Sequence, residues 1–412
     1  MIPQLGYMAK VIPPSILAPH AIQFDEMVLD VVKRKFLLPN PLPDVAKFFL
    51  SLPIKVGGFG LRKVAASSCP AYFSAVSSAA ECILDLVPAE RRHAVLLDEK
   101  TRAPFATEVD LCLHQLKEAG VTAGMEGPIP ESIQDFWSPG GGVVSLLIST
   151  LTAAAECRRW LDEKATNKEK QRMSSASATK ASLWLTSFPT TPELIMADDD
   201  FIIAVKHRLG VPLLADLPPK CFCGVEMKND QQHFLSCAHL KRRAMTVRHD
   251  SVVRLLRDFF HHAGAMVHIE PRIYDTKRFR PDLDILLPDS NVMLDVGITN
   301  PCAPSRTSTT ALAAATTMEK AKHGEYDKFA HEHGAKFFPF IIESLGAFGR
   351  ETAGVLKVLS KAVFNNKSID APREFLVHCN RVLSVAVQRG NALVVRRSSS
   401  DSRCCHCRSR GG

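Results

Sequence analysis

Cys221, Cys223, His233 and Cys237 put four soft or borderline metal ligands within seventeen residues. Three thiolates and an imidazole suit a closed tetrahedral Zn²⁺ site, whose ligands must lose their protons and be wrapped by a short loop. The single residue between the first two cysteines is tighter than usual for such sites. Gly224 follows at the point where a knuckle backbone turns back towards its ion. The competing reading is three unrelated buried thiols and a surface histidine, and His239 is an alternative fourth ligand. Cys404, Cys405, His406 and Cys407 have ligand chemistry but no loop between them, so they read as an exposed tail.

A second group of residues is acidic. Pro281-Asp282 opens one strand-like run, and Asp295 follows after twelve intervening residues, flanked by Val292, Met293, Leu294, Val296 and Ile298. A carboxylate among such neighbours is costly to bury unless a cation neutralises it. Two carboxylates meeting at one end of a small sheet suit Mg²⁺, which also keeps waters and phosphate oxygens. Glu270, on the preceding run, is a candidate third ligand. Read singly, Asp282 fits a turn and Asp295 fits a salt bridge with a local arginine. The helix that follows carries Lys320 and Lys322. Their side chains diverge by about 200°, so only one faces the strands. Lys322 shares a face with Met318 and Tyr326, which makes it the candidate that reaches the acids.

Asp198, Asp199 and Asp200 resemble the paired acids of a polymerase site, yet they open an amphipathic run and read as first-turn acids favoured by the helix dipole. Between Lys241 and Arg280 there are ten basic against four acidic residues, including Lys241, Arg242, Arg243, Arg248 and Arg280. Such a strip is suited to phosphate contacts.

Around these residues the chain must supply the elements that position them. Its 412 residues, 46% hydrophobic and 23% charged, allow two or three domains and exclude wholesale disorder. A net charge of +8 makes a polyanion a plausible partner. No secretory leader is visible, so the twelve cysteines are expected as thiols or metal ligands in an intracellular protein. The weakly polar run Gly140 to Cys157 is too interrupted to span a bilayer and reads as a buried or amphipathic helix. No membrane or small-molecule ligand is expected.

The pattern predicts a helical region over 1–100, and helices over 101–190 ending in a polar linker at Asn167 to Lys180. A helix and knuckle follow over 191–245. An α/β domain over 246–365 has the order helix, three strands, helix, strand, and a basic tail over 366–412 ends disordered. The fold class is α+β overall.

The succession Cys221-x-Cys223-Gly224, His233-x-x-x-Cys237, Arg248-His249, Arg280-Pro281-Asp282, Asp295 and Lys322-x-x-x-Tyr326 resembles the carboxy-terminal part of non-LTR retrotransposon polyproteins that carry a restriction-like endonuclease. Upstream, VIPPSILAPHAIQFDEMV and LPIKVGGFGLR are similar to the thumb and connector of such proteins. The resemblance implies an αβββαβ core of the PD-(D/E)xK type, acting in the nucleus on target DNA, with the element's RNA as a second partner. It implies nicking that primes reverse transcription. Asp282 and Asp295 become Mg²⁺ ligands, Lys322 the catalytic lysine and Tyr326 an accessory residue, while Glu270 stays a catalytic candidate by its place on the preceding run alone. Cys221, Cys223, His233 and Cys237 become the zinc knuckle, and His249 joins the DNA-contacting arginines. Fingers and palm have no counterpart here, so the resemblance implies no RNA copying by this chain, as in a truncated or domesticated remnant. The alternative is a catalytically inactive nucleic-acid-binding relic of the same element.

Overall fold

A computed structural model of the chain describes residues 2–121, 129–138, 148–221, 223–228, 230, 232–237, 239, 244–271 and 280–408. The chain divides into two compact units: Met1–Lys35 with Lys47–Ala165, and Phe36–Ala46 with Thr166–Gly412.

Among the described residues the first unit is helical, with α1 (Ile2–Val11), α2 (Pro14–Lys35), α3 (Val64–Ser78), α4 (Pro104–Glu118) and α5 (Ile148–Glu163). Asp25 on α2 ties two of them together, its carboxylate accepting the free N–H groups of Val64 and Ala65 at 2.8 and 3.0 Å. This satisfies the start of α3 from across the fold. Tyr72 and Phe73 pack with Leu113, Leu116, Phe136 and Trp137 in the core.

The second unit has mixed α and β structure. From Thr166 on it contains α6 (Asn167–Ala176) and α7 (Asp198–Leu209), and after the Cys/His segment comes α8 (Ala244–His262). The strands are β1 (Met266–Ile269), β2 (Leu283–Leu287), β3 (Ser290–Thr299) and β4 (Ala335–Glu343), with α9 (Ala313–Glu332) before β4 and α10 (Thr352–Asn365) and α11 (Pro372–Arg408) after it. Helix, three strands, helix, strand is the order the patterning implied. The sheet order is β1-β2-β3-β4, antiparallel except for the parallel β3–β4 pair, whose crossover is α9.

Alternation decides what each face carries. Leu283 pairs with Leu294, and Met293, Asp295 and Gly297 pair with Phe337, Pro339 and Ile341. One face therefore presents Asp284, Met293, Asp295 and Gly297 to α9, whose Tyr326, Phe329 and Ala330 pack on Met293 and Phe337. Gly297 lets that helix approach: a Cβ there would meet the Met318 sulfur at 2.6 Å and Ile341 Cδ1 at 2.7 Å. Val292, Leu294 and Val296 point to the other face, under α8 and α10.

Two sequence expectations change. The expected linker Asn167 to Lys180 is largely helix α6, held by a capping box in which Thr166 Oγ1 accepts the Glu169 N–H at 3.3 Å and Glu169 accepts the Thr166 N–H at 2.7 Å. Gln171, Arg172, Met173 and Ser175 are buried. A polar, Ser-rich composition hid a helix whose polar groups find internal partners. Over Pro372–Arg408 the tail is a 37-residue helix, burying Cys379, Leu383, Val387, Val394 and Val395 between its arginines, and the last four residues lie outside the described ones. The side chains of Cys404, Cys405, His406 and Cys407 lie outside the described residues.

Replacing Gly297 with alanine is expected to cost about 1–3 kcal/mol, because the inserted methyl overpacks the α9–β3 contact. Urea unfolding checks this, and Met318→Ala in the same chain should recover part of the loss.

Candidate metal centre and carboxylate site

In the Cys/His segment the backbone folds back on itself. Cys221 N–H donates to the Val225 carbonyl and Gly224 N–H to the Cys221 carbonyl, both at 2.8 Å, with Gly224 at φ +90°. A left-handed turn of this kind favours glycine. Cys221 and Cys237 are buried, with sulfurs 3.8 Å apart, and Cys223 Sγ lies 3.0 Å from His233 Nε2. All four ligand atoms lie within 4.8 Å of one another, a separation that suits one tetrahedral ion. His239 is exposed and outside this group.

Burial pushes the Cys221 thiol up to about 12. At Cys223 burial acts in the same direction, but hydrogen bonds from the Val225 N–H and His233 outweigh it and bring the thiol to about 7. Thus one ligand is poised as a thiolate while another needs a cation to lose its proton. Asp230, a residue the spacing argument missed, lies 3.8 Å from His233 Nδ1. A carboxylate behind a histidine fixes its orientation and leaves Nε2 for a metal. Its position three residues before the histidine was the available signal.

The acidic residues meet at the end of the β2–β3 ladder. β2 begins at Leu283, so Val296 has no β2 partner for its backbone groups. Asp282 supplies one: its Oδ2 accepts the Val296 N–H at 2.6 Å. His249, from α8, places Nε2 3.0 Å from the same Oδ2 and 3.1 Å from the Val296 carbonyl. Its Nδ1 lies 3.1 Å from Asp250. Burial opposes the imidazolium charge, but the hydrogen bond and charge of Asp282, with Asp250, raise His249 to about 9.

Asp295 is 5% exposed, and its Oδ2 lies 2.8 Å from Lys322 Nζ. Burial first, then the nearby Asp282 charge, raise its carboxyl to about 6 even though Lys322 opposes the rise. Burial lowers Lys322, and the charge of Asp295 more than reverses this, so the ammonium is held above its ordinary value. Tyr326 lies under the lysine, with Nζ 5.5 Å from its ring centre, and its hydroxyl donates to the Arg280 carbonyl at 3.2 Å. Burial raises that phenol too. Lys320 is exposed, as its helical offset from Lys322 requires.

Other expected site residues are placed differently. Glu270 is exposed at φ +42°, its carboxylate 3.1 Å from Arg280 and its N–H donating to the Asp282 carbonyl at 2.9 Å. It braces the turn into β2 and faces Arg280, not the two aspartates. Arg248, expected on phosphates, is 4% exposed and donates to Asn391 Oδ1 at 2.8 Å. The turn of about 100° per residue along α8 points it inward while its neighbour His249 reaches the sheet end. His249 likewise faces carboxylates and not an open basic surface. Lys241, Arg242 and Arg243 lie outside the described residues. Asp198 and Asp199 open α7 as first-turn acids. Asp284, which the spacing argument did not single out, is buried in β2 on the same face as Asp295, and Pro-Asp-Leu-Asp alternation was its signal.

No family model matches the chain. A stretch of 151 residues is 29% identical to the "Retrotransposable element SLACS 132 kDa protein" of Trypanosoma brucei gambiense, covering 34% of this chain and 13% of that protein. The match thus relates part of the chain to a small part of a retrotransposable-element protein. Among the described residues no helix is long and apolar enough to cross a membrane.

Two outcomes are expected. Asp230→Asn should weaken zinc binding by about 10–100-fold without removing a ligand, as competition with a chromogenic chelator will show. Asp295→Asn should stabilise the metal-free protein above pH 6. The folded carboxyl titrates higher than the unfolded one, so the wild type loses stability as pH rises from about 4 through about 6, and an amide that cannot ionise does not. The gain should reach on the order of 3 kcal/mol at pH 8, read from denaturant midpoints across that range.

Proposed function

We propose that this chain is a retrotransposon-derived, Mg²⁺-dependent DNA endonuclease that nicks target DNA, with a restriction-like αβββαβ core and a structural zinc knuckle. The observation that carries the reading is the Lys322–Asp295 contact at 2.8 Å beside Asp282, on one face of the sheet. Similarity to a retrotransposable-element protein supports the same reading. In that setting the nick primes reverse transcription in the nucleus, and the element's RNA is a second partner.

The two carboxylates fit a divalent cation. Asp295 is buried, raised by its neighbour's charge, and still one cation short of comfortable ionisation. Bound there, Mg²⁺ would polarise the scissile phosphate and lower the pKa of the attacking water. Asp282, its carboxylate oriented by the Val296 N–H and His249, would hold the other side of the site. Lys322 keeps its proton near Asp295, orients the water and balances charge developing on the phosphate. Tyr326 stiffens the lysine by packing beneath it.

On supercoiled plasmid, Asp295→Ala should abolish Mg²⁺-dependent nicking while leaving DNA affinity within about 3-fold, and Lys322→Ala should reduce nicking by at least about 10²-fold. Lys320→Ala should match the wild type. Equal loss at both lysines would indicate general electrostatics. No metal-dependent nicking by the intact chain would make it a nucleic-acid-binding relic.

A further inference from the structure

At the other end of the sheet lies a groove of about 670 Å³ between α10, the end of α8 and the β2–β3 hairpin. Its floor is apolar: Val292 is buried, and Phe338 and Val358 are half-buried. Its rim is basic. Lys336, Lys357 and Lys361 line it and are exposed, with Asp289 the acid among the lining residues. Lys361 and Asp289 lie 3.4 Å apart with side chains 69% and 72% exposed, a pair too well solvated to neutralise the rim.

The placement follows from the register. Val292 pairs with Lys336 and Leu294 with Phe338, so Lys336 and Phe338 rise on the same face, opposite the one carrying Asp295. On α10, Lys357 and Lys361 are one turn apart and stand over that strand. Gly354 keeps the helix low: a Cβ there would meet the Phe338 ring at 2.9 Å. The groove opens on the face of the sheet opposite the one that carries Asp295. The groove therefore cannot take the phosphate held at the aspartates.

We propose that this groove binds an unpaired nucleic-acid strand, with Lys336, Lys357 and Lys361 on its phosphates and a base against Phe338. The inference rests on the nucleic-acid reading of the chain given above. The charge selects a polyanion, and an aromatic ring on an apolar floor selects one with exposed bases. A duplex hides its base faces and offers phosphates alone. An acidic peptide matches the lysines but makes no use of the ring.

The test uses the full chain and fluorescence anisotropy with a labelled twenty-nucleotide oligo(dT), an oligo(U) of equal length, and a duplex. Lys336→Gln/Lys357→Gln/Lys361→Gln should weaken single-strand binding at least about 10-fold and reduce the log–log salt slope by about 2. Duplex binding should change less than about 3-fold. Phe338→Leu should weaken single-strand binding about 5-fold with the slope unchanged, and Phe338→Tyr should restore it. Melting temperatures of all variants identify any that fail to fold, and the lysine triple variant, altered only at exposed positions, keeps the test valid if Phe338→Leu does not fold. Unchanged single-strand affinity and slope in the triple variant would overturn the proposal. So would polyglutamate competing as well as oligo(dT), which would make this a peptide site. Oligo(U) bound more tightly than oligo(dT) supports RNA as the strand, and the reverse supports displaced DNA. Plasmid nicking by the same preparations is scored separately, so a chain that binds strands but does not nick fails the endonuclease reading and leaves this one standing.

Discussion

The rest of the sheet is arranged around the cost of placing the Asp295 carboxylate in the middle of an apolar strand. At 5% exposure it has lost nearly all its water, and a second carboxylate lies nearby. A single lysine offsets part of this, and the carboxyl still titrates near 6. A protein under selection for stability alone would place a neutral residue here. Retaining the acid requires the lysine, and the lysine must come from a helix that lies flat on this face. That in turn requires Gly297 under Met318, one turn of α9 before Lys322. The glycine, the ion pair and the packing of Tyr326 on Phe337 are consequences of one demand.

Asp282 answers a different constraint. Where β2 starts, the ladder stops and leaves Val296 with backbone groups to satisfy. A side-chain carboxylate takes the N–H, and an imidazole from α8 sits by the carbonyl. The same oxygen that repairs the ladder is thereby locked in place by His249. Two partners thus set the orientation of the Asp282 carboxylate at the end of the ladder. Pre-organisation here comes from the ordinary need to finish a strand.

Local chemistry made much of this legible in the sequence. The four zinc-type ligands were readable because a metal site is bounded by spacing and residue type, and Lys322 over Lys320 was readable because a helix turns 100° per residue. The strand order followed from short apolar runs with turn residues between them. What failed was legibility of polar burial. Asn167 to Ala176 has a composition that usually means solvent, yet Gln171 donates to the Arg306 carbonyl at 2.9 Å and Ser175 to Glu343. The helix over Pro372–Arg408 was hidden for the same reason. Its Ser384, Gln388 and Asn391 are buried, and two of them donate to the carbonyl of Ser344 from a helix whose arginines suggested a loose end. Partners distant in sequence decide these cases, and periodicity carries no information about them. Glu270 is different: its carboxylate is paired with Arg280, ten residues on.

That buried polar junction also limits how charge counts should be used. Arg172, Arg208 and Arg248 are all buried. Arg208 donates to the Ser182 hydroxyl at 2.8 Å, and Arg248 to an asparagine, so dipoles offset much of their desolvation. Burial lowers both guanidinium groups to about 10. His207 sits among them, bonded to Gln232 and Ser344 at 3.0 and 3.1 Å; burial first, then the Arg172 charge, hold it neutral with a pKa near 3. Gln232 adjoins the zinc-type ligand His233, and Arg248 adjoins His249. One network therefore fixes the residues beside both candidate metal sites. Its cations serve that framework and are closed to any polyanion. Along the α10 groove, by contrast, the fold leaves three lysines exposed around an aromatic ring.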